Sequence, residues 1–323
     1  MRAAVTGGTG VVGQAVVRHL VSAGYQVRAL SRSLGSGDFL SGLGAEPVSG
    51  QLDDRDSLSR LVSEADQVFH VAGLNLLCPA DPGELWRANV AGTRAVMEAS
   101  REAGVARMVH TSSAVTIGEI AGSVGTETSP HRGHFLSHYE RTKYEAERML
   151  LADRGDLDVV VVNPSSVQGP GRSTGTGRIL LEAIRGRSRF SVDTTFSLVD
   201  IDDCARGHLL AAERGVAGER YLLSGATLST REMIGLLDRL LGRSTKTRYL
   251  PKGVFSALGG VVGAGFAIAG RNAPLCAESA RVILHGHRHD GSRSTRELGL
   301  DYTPIDETLR RTVEWFRSVG KLN

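Results

Sequence analysis

A glycine-rich loop near the start of the chain constrains the fold more than any other sequence feature. The residues Thr6-Gly7-Gly8-Thr9-Gly10-Val11-Val12-Gly13 follow a short apolar run and lead directly into a helical pattern. Glycines at positions 7, 10 and 13 allow a tight turn, close approach of a phosphate to backbone N–H groups, and close packing of helix on strand. The helix N-terminus adds partial positive charge. This combination predicts a dinucleotide-binding loop.

Short apolar runs alternate with longer helical patterns over the first 165 residues. Strand-like runs lie at residues 3–6, 27–30, 67–72, 107–111 and 159–163, and helical spacings at residues 11–22, 57–63, 84–103 and 138–151. Such alternation requires crossover connections and therefore a parallel sheet. We predict an α/β protein with a Rossmann-type, doubly wound parallel sheet.

The pattern changes after residue 164. A helix is predicted near residues 179–185, a strand near 196–199, and mostly helical segments from residue 229 onward. We expect a dinucleotide-binding domain over residues 1–165 and a smaller, mostly helical substrate lobe over residues 166–323. Segments at about 196–223 are expected to return to the core.

Charge and cysteine content exclude several classes of function. The 38 basic and 35 acidic residues nearly balance, and no basic cluster with interleaved aromatics indicates nucleic-acid binding. The three cysteines, Cys78, Cys204 and Cys276, are far apart in sequence, so neither a disulfide framework nor a zinc knuckle is predicted. With no secretory segment at the N-terminus, these features favour a cytoplasmic protein.

Two other segments receive simple structural interpretations. Residues 253–270 carry no charge, but six glycines dilute their hydrophobicity, which favours a buried or pocket-lining helix over a membrane span. His285, His287 and His289 have only Asp290 as a nearby carboxylate, so we predict no metal site and a solvated or capping cluster. Asp200, Asp202 and Asp203 are predicted to cap a helix start.

The end of the second strand indicates the cofactor. An acid at this position binds the ribose 2′-OH and repels a 2′-phosphate, and here the strand ends in Ser31-Arg32 without one. Arg32 can pair with a phosphate and Ser31 can donate to it. The sequence therefore predicts NADP, with NAD as the alternative.

A tyrosine and a lysine provide the candidate acid–base pair. Tyr139 and Lys143 are four residues apart and lie on one face of a helix. A nearby cation lowers a phenol pKa toward neutrality. Only four of the 38 basic residues are lysines, and Lys143 is the only one among the first 245 residues. Serines after the strand at 107–111 can hydrogen-bond a carbonyl oxygen at the same sheet edge.

Together these motifs resemble an extended short-chain dehydrogenase/reductase, in the group of epimerases/dehydratases, dihydroflavonol reductases and 3β-hydroxysteroid dehydrogenases. The resemblance covers nearly the whole chain and includes the TGGTGxxG loop, Tyr139-x-x-x-Lys143 and the segment from Asn163 to Pro170. It implies that Tyr139 is the general acid/base, Lys143 its pKa-lowering partner, and Ser113 the carbonyl-orienting hydroxyl, with Ser112 second. Asn89 is implied either beside the nicotinamide or as a structural residue.

The loop and the resemblance also define the residues expected to contact the cofactor. These are Gly7, Thr9, Gly10, Val11, Val12, Gly13, Ser31, Arg32, Gln51, Leu52, Val71, Ala72, Gly73, Thr111, Tyr139, Lys143, Pro164, Ser165 and Val167. Gln51 stands where relatives often carry an aspartate for the adenine amino group. Ala114 and Val115 replace the acidic pair of sugar dehydratases, so dehydration is the least favoured chemistry.

Three functions are compatible with these residues. The favoured one is an NADP(H)-dependent reductase or dehydrogenase acting on an apolar small molecule, because the uncharged stretch at 253–270 is expected to line the pocket. A nucleotide-sugar epimerase with tightly bound NAD is the alternative, with Arg172, Arg178 and Arg185 as candidate cations for a diphosphate. A non-catalytic cofactor sensor is less favoured. Apolar stripes on the helices at 84–103 and 138–151 predict a homodimer.

Overall fold

A parallel seven-stranded sheet forms the centre of the protein, in a computed structural model that describes residues 1–322. Asn323, the last residue of the predicted second lobe, lies outside the described residues. The strands are β1 (Arg2–Thr6), β2 (Gln26–Ser31), β3 (Glu46–Ser49), β4 (Gln67–His70), β5 (Arg107–Thr111), β6 (Asp158–Pro164) and β10 (Arg220–Leu223). Their spatial order is β10-β6-β5-β4-β1-β2-β3. The predicted Rossmann-type fold is confirmed.

Helices cover both faces of this sheet because its central strands are apolar on both sides. They are α1 (Val11–Ser22), α2 (Leu34–Gly42), α3 (Arg55–Val62), α4 (Gly83–Leu85), α5 (Gly92–Glu102), α6 (His138–Asp153) and α8 (Ile201–Arg214). Helices α1 and α8 pack together on one side, and α3, α5 and α6 on the other. A π-helical turn at Trp86–Ala91 joins α4 to α5, within the helix predicted at 84–103.

The remaining elements form a smaller second lobe. A three-stranded sheet contains β7 (Ser166–Gln168), β9 (Thr195–Asp200) and β11 (Ala226–Ser229), and a two-stranded ribbon contains β8 (Phe190–Ser191) and β12 (Arg248–Tyr249). Its helices are α7 (Thr176–Ile184), α9 (Thr230–Leu241), α10 (Lys252–Ile268), α11 (Ala277–His285) and α12 (Ile305–Ser318). Strand β9, predicted at 196–199, lies in the small sheet, whereas β10 joins the central one. Asp200 caps α8 as predicted.

Helix α10 differs from the expectation for residues 253–270. Gly259 is its only buried residue, and Val254, Leu258, Val261 and Ile268 are exposed. The prediction of a buried or pocket-lining helix is therefore wrong for most of its length, because only one side packs, chiefly against α11. Phe255 alone among residues 253–270 lines the large cleft that contains Tyr139. Within residues 1–322, no helix is long and apolar enough to cross a membrane.

A disulfide joins Cys78 and Cys276, although the spacing of the cysteines predicted no disulfide framework. The two Cα atoms lie 6.0 Å apart although 198 positions separate them in sequence. Next to the bridge, the Ala80 amide donates to the Asn272 side-chain oxygen at 2.7 Å. Both contacts bind the loop after β4 to the segment between α10 and α11. Sequence spacing cannot reveal such a pair, because the fold alone brings the two segments together.

We predict that this disulfide stabilises the folded protein. A cross-link across so long a segment restricts the unfolded chain, so reduction should lower the free energy of unfolding by about 2–4 kcal/mol. Urea denaturation with and without a reductant measures the change. The Cys78→Ser variant should show the same loss and no further response to reductant. Three reactive thiols in the denatured, unreduced protein would contradict the pairing.

Candidate functional site

The glycine loop is shaped by contacts that only glycine permits. Gly7 has a φ of +74°, and a Cβ atom there would lie 2.5 Å from the Ala72 amide nitrogen. A Cβ at Gly13 would lie 2.0 Å from the Gly7 carbonyl oxygen, which accepts a 2.9 Å hydrogen bond from the Gly10 amide. The loop therefore packs against both the end of β4 and the first turn of α1. This cradle fits the pyrophosphate of a dinucleotide.

A cleft of about 1360 Å³ runs from this loop across the carboxyl ends of the strands into the second lobe. All residues predicted as catalytic or as cofactor contacts line it except Ser31, and Asn89 does not line it either. Ser31 is buried, and its hydroxyl donates to the Ser33 carbonyl at 2.8 Å. The expected contact from Ser31 to a phosphate is therefore not formed in this arrangement.

Where the cleft passes the ends of β2 and β3, its lining includes one cation and one acid. Arg32 is exposed, and no carboxylate within the described residues 1–322 forms an ion pair with it. Gln51 lines the same region, with its backbone joined to the Ser57 hydroxyl. Asp53, two residues further on, also lines the cleft and was not predicted. Arg32 is thus free to meet a phosphate.

Tyr139 is half-buried and lines the cleft from the first turn of α6. Burial raises the pKa of its phenol, while a hydrogen bond with Ser113 and the positive charge of Arg172 act in the opposite direction. The sequence interpretation assigned this charge effect to Lys143. Arg172, from the loop before α7, was considered only as a diphosphate ligand. The phenol is protonated at neutral pH and has a hydroxyl partner and a cation beside it.

Lys143 is buried one turn further along α6. Its ammonium group donates to the Thr111 carbonyl oxygen at 2.7 Å, at the end of β5. Burial lowers the pKa of Lys143 to about 8, although the Glu147 carboxylate opposes this shift. The Asn89 side chain, nearby, accepts from the Leu74 amide and donates to the Leu74 carbonyl and the Thr142 hydroxyl.

The Glu147 carboxylate decides which of the two serines is available. Its Oε2 accepts from the Ser112 hydroxyl at 2.5 Å, from Thr116 at 2.9 Å and from the Asn163 amide at 2.9 Å. Its Oε1 accepts from Arg220 at 3.2 Å. Ser112 is committed to this network. Ser113, with Tyr139 beside it, is the serine whose hydroxyl can reach a substrate oxygen.

The three histidines at 285, 287 and 289 are neither solvated nor capping, so that prediction is wrong. They converge on the buried Glu119, with His287 Nδ1 at 2.7 Å and His289 Nε2 at 3.3 Å from its carboxylate. Burial opposes ionisation of Glu119, but hydrogen bonds from the three imidazoles hold its pKa well below its usual range. Burial lowers the pKa of His287. The carboxylate lies more than 160 positions earlier, where sequence spacing gave no signal.

The outer part of the cleft is mainly apolar. Its second-lobe lining includes Phe190, Val192, Phe196, Leu198, Met233, Ile234, Phe255, Val282 and Ile283. Among the three arginines considered as diphosphate ligands, Arg172 lines the cleft, while Arg185 pairs with Glu182 and binds the Lys321 carbonyl. Arg178 is exposed and does not line the cleft.

Comparisons with known proteins agree with this geometry. Residues 3–224 match the model of the NAD dependent epimerase/dehydratase family. The chain is 34% identical to sterol demethylase protein B from Methylococcus capsulatus, over 100% of both chains. It is 34% identical to a farnesyl-dihydroquinoline-oxide ketoreductase from Stigmatella aurantiaca, over 78% of this chain and 76% of the relative. A nucleoside-diphosphate-sugar epimerase from Pseudomonas aeruginosa superposes with a TM-score of 0.81 at 26% identity, covering 100% and 99% of the two chains.

We predict that Lys143 lowers the stability of the protein at neutral pH. An ammonium group whose pKa falls from 10.5 to about 8 on folding binds its proton less tightly in the native state. Lys143→Met should therefore raise the free energy of unfolding at pH 7 by about 2 kcal/mol, after the lost hydrogen bond is allowed for. The gain should shrink as the pH rises from 8 toward 10.5, because the native lysine is then already neutral.

Chemical denaturation at several pH values measures this effect. The exposed Lys246 provides the matched control, and Lys246→Met should change stability by less than about 0.5 kcal/mol at every pH. A Lys143→Met variant less stable than wild type at pH 7 would contradict the predicted cost of burying this charge.

Proposed function

Because this chain belongs to the NAD-dependent epimerase/dehydratase family of extended short-chain dehydrogenases/reductases, we propose an NADP(H)-dependent oxidoreductase that interconverts a carbonyl and an alcohol. The proposed substrate is an apolar small molecule. The observation that carries this choice is the apolar second-lobe wall of the cleft, which has only Arg172 as a permanent cation. The Methylococcus and Stigmatella relatives, whose names specify a sterol and a farnesylated ring ketone, support the same substrate class.

The residues of the cleft fit a phosphorylated dinucleotide. The Gly7–Gly13 cradle would hold its pyrophosphate, and the unpaired Arg32 would hold a 2′-phosphate. Asp53 or Gln51 would accept from the adenine amino group. When bound, NADP(H) supplies or accepts the hydride.

Tyr139 and Ser113 would perform the proton chemistry on the substrate oxygen. In reduction, the Tyr139 hydroxyl donates its proton to the carbonyl oxygen as that oxygen gains charge, while Ser113 donates a hydrogen bond to it. In oxidation, the Tyr139 phenolate accepts the proton from the alcohol. Arg172 and Lys143 are the cations near this site, and Lys143 also holds the end of β5 through Thr111. Because burial raises the pKa of Tyr139, oxidation should accelerate with increasing pH.

Tyr139→Phe should abolish turnover without preventing folding. The substitution keeps the ring and removes only the transferable proton, and general acid–base catalysis contributes about 10²–10⁴-fold to the rate. Steady-state kcat measures the loss, and NADPH titration shows that the cofactor site is intact. Tyr144→Phe, on the same helix but outside the main cleft, is the matched control and should keep wild-type kcat. Wild-type turnover by Tyr139→Phe would disprove the assignment.

Arg32→Ala should weaken NADPH binding about thirtyfold and leave NADH binding unchanged. A charged bidentate contact with the 2′-phosphate contributes about 2 kcal/mol, and NADH lacks that phosphate. Fluorescence titration of both cofactors gives the two dissociation constants. Arg18→Ala, at an exposed arginine outside the cleft, is the control. Equal affinities of wild type and Arg32→Ala for NADPH would exclude this role.

A nucleotide-sugar epimerase with tightly bound NAD is the second candidate, favoured by Arg172 beside Tyr139 and by the Pseudomonas structure. The test is a panel of assays on the purified protein. We expect NADPH oxidation with hydrophobic aldehydes and ketones, and no interconversion of UDP- or dTDP-hexoses without added cofactor. Activity on the sugars alone, with NAD released on denaturation, would establish the epimerase instead.

Two features of the working protein remain predictions. In the predicted homodimer, α5 and α6 of one copy would pack against α5 and α6 of the other. The surface of α6 carries Tyr144 and Arg148, which form a cation–π contact within one chain. A cytoplasmic location follows only from the sequence. The Cys78–Cys276 pair opposes it, because disulfides are rare in a reducing cytosol.

A further inference from the structure

The histidines of the segment 285–289 surround one buried carboxylate on the far side of the cleft. The side chains of Glu119 and His289 are 1% and 2% exposed, and that of His287 is 14% exposed. Oε1 of Glu119 lies 2.7 Å from His287 Nδ1, and Oε2 lies 3.3 Å from His289 Nε2. His285 Nε2 lies 3.5 Å from Oε1 and contacts the Glu119 carbonyl oxygen at 3.1 Å.

These atoms lie close enough together for one metal ion to contact all three. One ligand atom each from Glu119, His287 and His289 lies within 4.8 Å of the other two. Bonds of 2.0–2.1 Å in a tetrahedral site place neighbouring ligand atoms about 3.3 Å apart. Two imidazole nitrogens and one carboxylate oxygen form the set that suits zinc or cobalt, and they offer too few oxygens for calcium or magnesium.

The surroundings of Glu119 also favour a cation. Within residues 1–322, its carboxylate has no lysine or arginine as an ion-pair partner, and its only ion-pair partners are histidines. Arg132, the nearby guanidinium, donates to the Glu119 backbone oxygen and is paired with Glu140. No permanent cation therefore pairs with this buried carboxylate, and a divalent cation would supply a counter-charge.

In His287 and His289, the ring nitrogen that faces away from Glu119 does not fix the tautomer. His287 Nε2 and His289 Nδ1 are buried and have no hydrogen-bond partner within the described chain. The proton between each ring and the Glu119 carboxylate can be lost or can move to the other ring nitrogen. The nitrogen that faces Glu119 then has a free lone pair and can bind a metal ion. Nothing else in the described chain fixes either tautomer.

We propose that Glu119, His287 and His289 form a binding site for one divalent cation of the zinc and cobalt class. Both histidines line the cleft that contains Tyr139. With three protein ligands, one position stays open for water, for His285 or for an oxygen of a bound molecule. This site is independent of the reaction proposed above, and its test does not depend on activity.

The experiment titrates untagged, chelator-treated, full-length protein with Co²⁺. We expect one equivalent to bind, with a visible ligand-field absorption band that Zn²⁺ removes by competition. Calorimetry gives the affinity. Glu119→Gln, His287→Gln and His289→Gln should each weaken binding at least about hundredfold, because loss of a direct ligand exceeds the 10–100-fold effect of outer-shell groups.

The controls separate a metal site from folding effects and from scattered surface histidines. His134→Gln, at an exposed histidine outside the cluster, should bind Co²⁺ like wild type. NADPH titration and thermal melting verify the fold of each variant. If the buried Glu119 or His289 variants fail to fold, His287→Gln at the more open edge decides the question. No saturable binding by wild type, or wild-type affinity in the folded ligand variants, would overturn the proposal.

Discussion

The buried carboxylate of Glu147 organises the reactive part of the molecule. It accepts hydrogen bonds from groups after β5, at the end of β6 and on β10, and it belongs to the helix that carries Tyr139 and Lys143. Four donors satisfy both of its oxygens, so the cost of burying the charge is offset. These hydrogen bonds hold α6 in position against the carboxyl ends of β5 and β6 and against β10. It also occupies Ser112 and leaves Ser113 toward the cleft.

The same helix shows a conflict between stability and function. Lys143 has its ammonium group buried beneath the cleft, where burial lowers its pKa to about 8. An apolar residue would pack there at lower cost, so folding alone does not explain the lysine. In the glycine loop, stability and the proposed function do not conflict, because the same glycines serve both. The close contacts of Gly7 and Gly13 permit the turn and open the cradle.

Local patterns predicted the central sheet because its elements depend on local information. Strands β1, β2, β5 and β6 are short apolar runs, and Gly7 to Gly13 form a motif with fixed spacing. Strand β3 had no such signal, since only Val48 of its residues is buried. The tyrosine, the lysine and the two serines were identified from local sequence. The resemblance already favoured Ser113 over Ser112, and Glu147 on another element adds the physical reason, since it binds the Ser112 hydroxyl.

The features that sequence did not reveal all join distant segments. Cys78 meets Cys276, and Glu119 meets the histidines at 285–289. Arg172 reaches Tyr139 from the second lobe. Spacing rules apply within one helix or one loop, and none of these pairs obeys them. The exposed face of α10 was missed for a related reason, because apolar composition gives the hydrophobicity of a helix but not how much of it is covered.

Among the contacts that join the sequence on either side of residue 165, two have a thermodynamic consequence. Strand β10 comes from the second half yet pairs with β6 of the first, and the Cys78–Cys276 bridge links the halves covalently. Removing either half would leave an unpaired strand edge or an open loop. The chain should therefore unfold in a single cooperative transition, and limited proteolysis should release no stable fragment corresponding to the nucleotide-binding half alone.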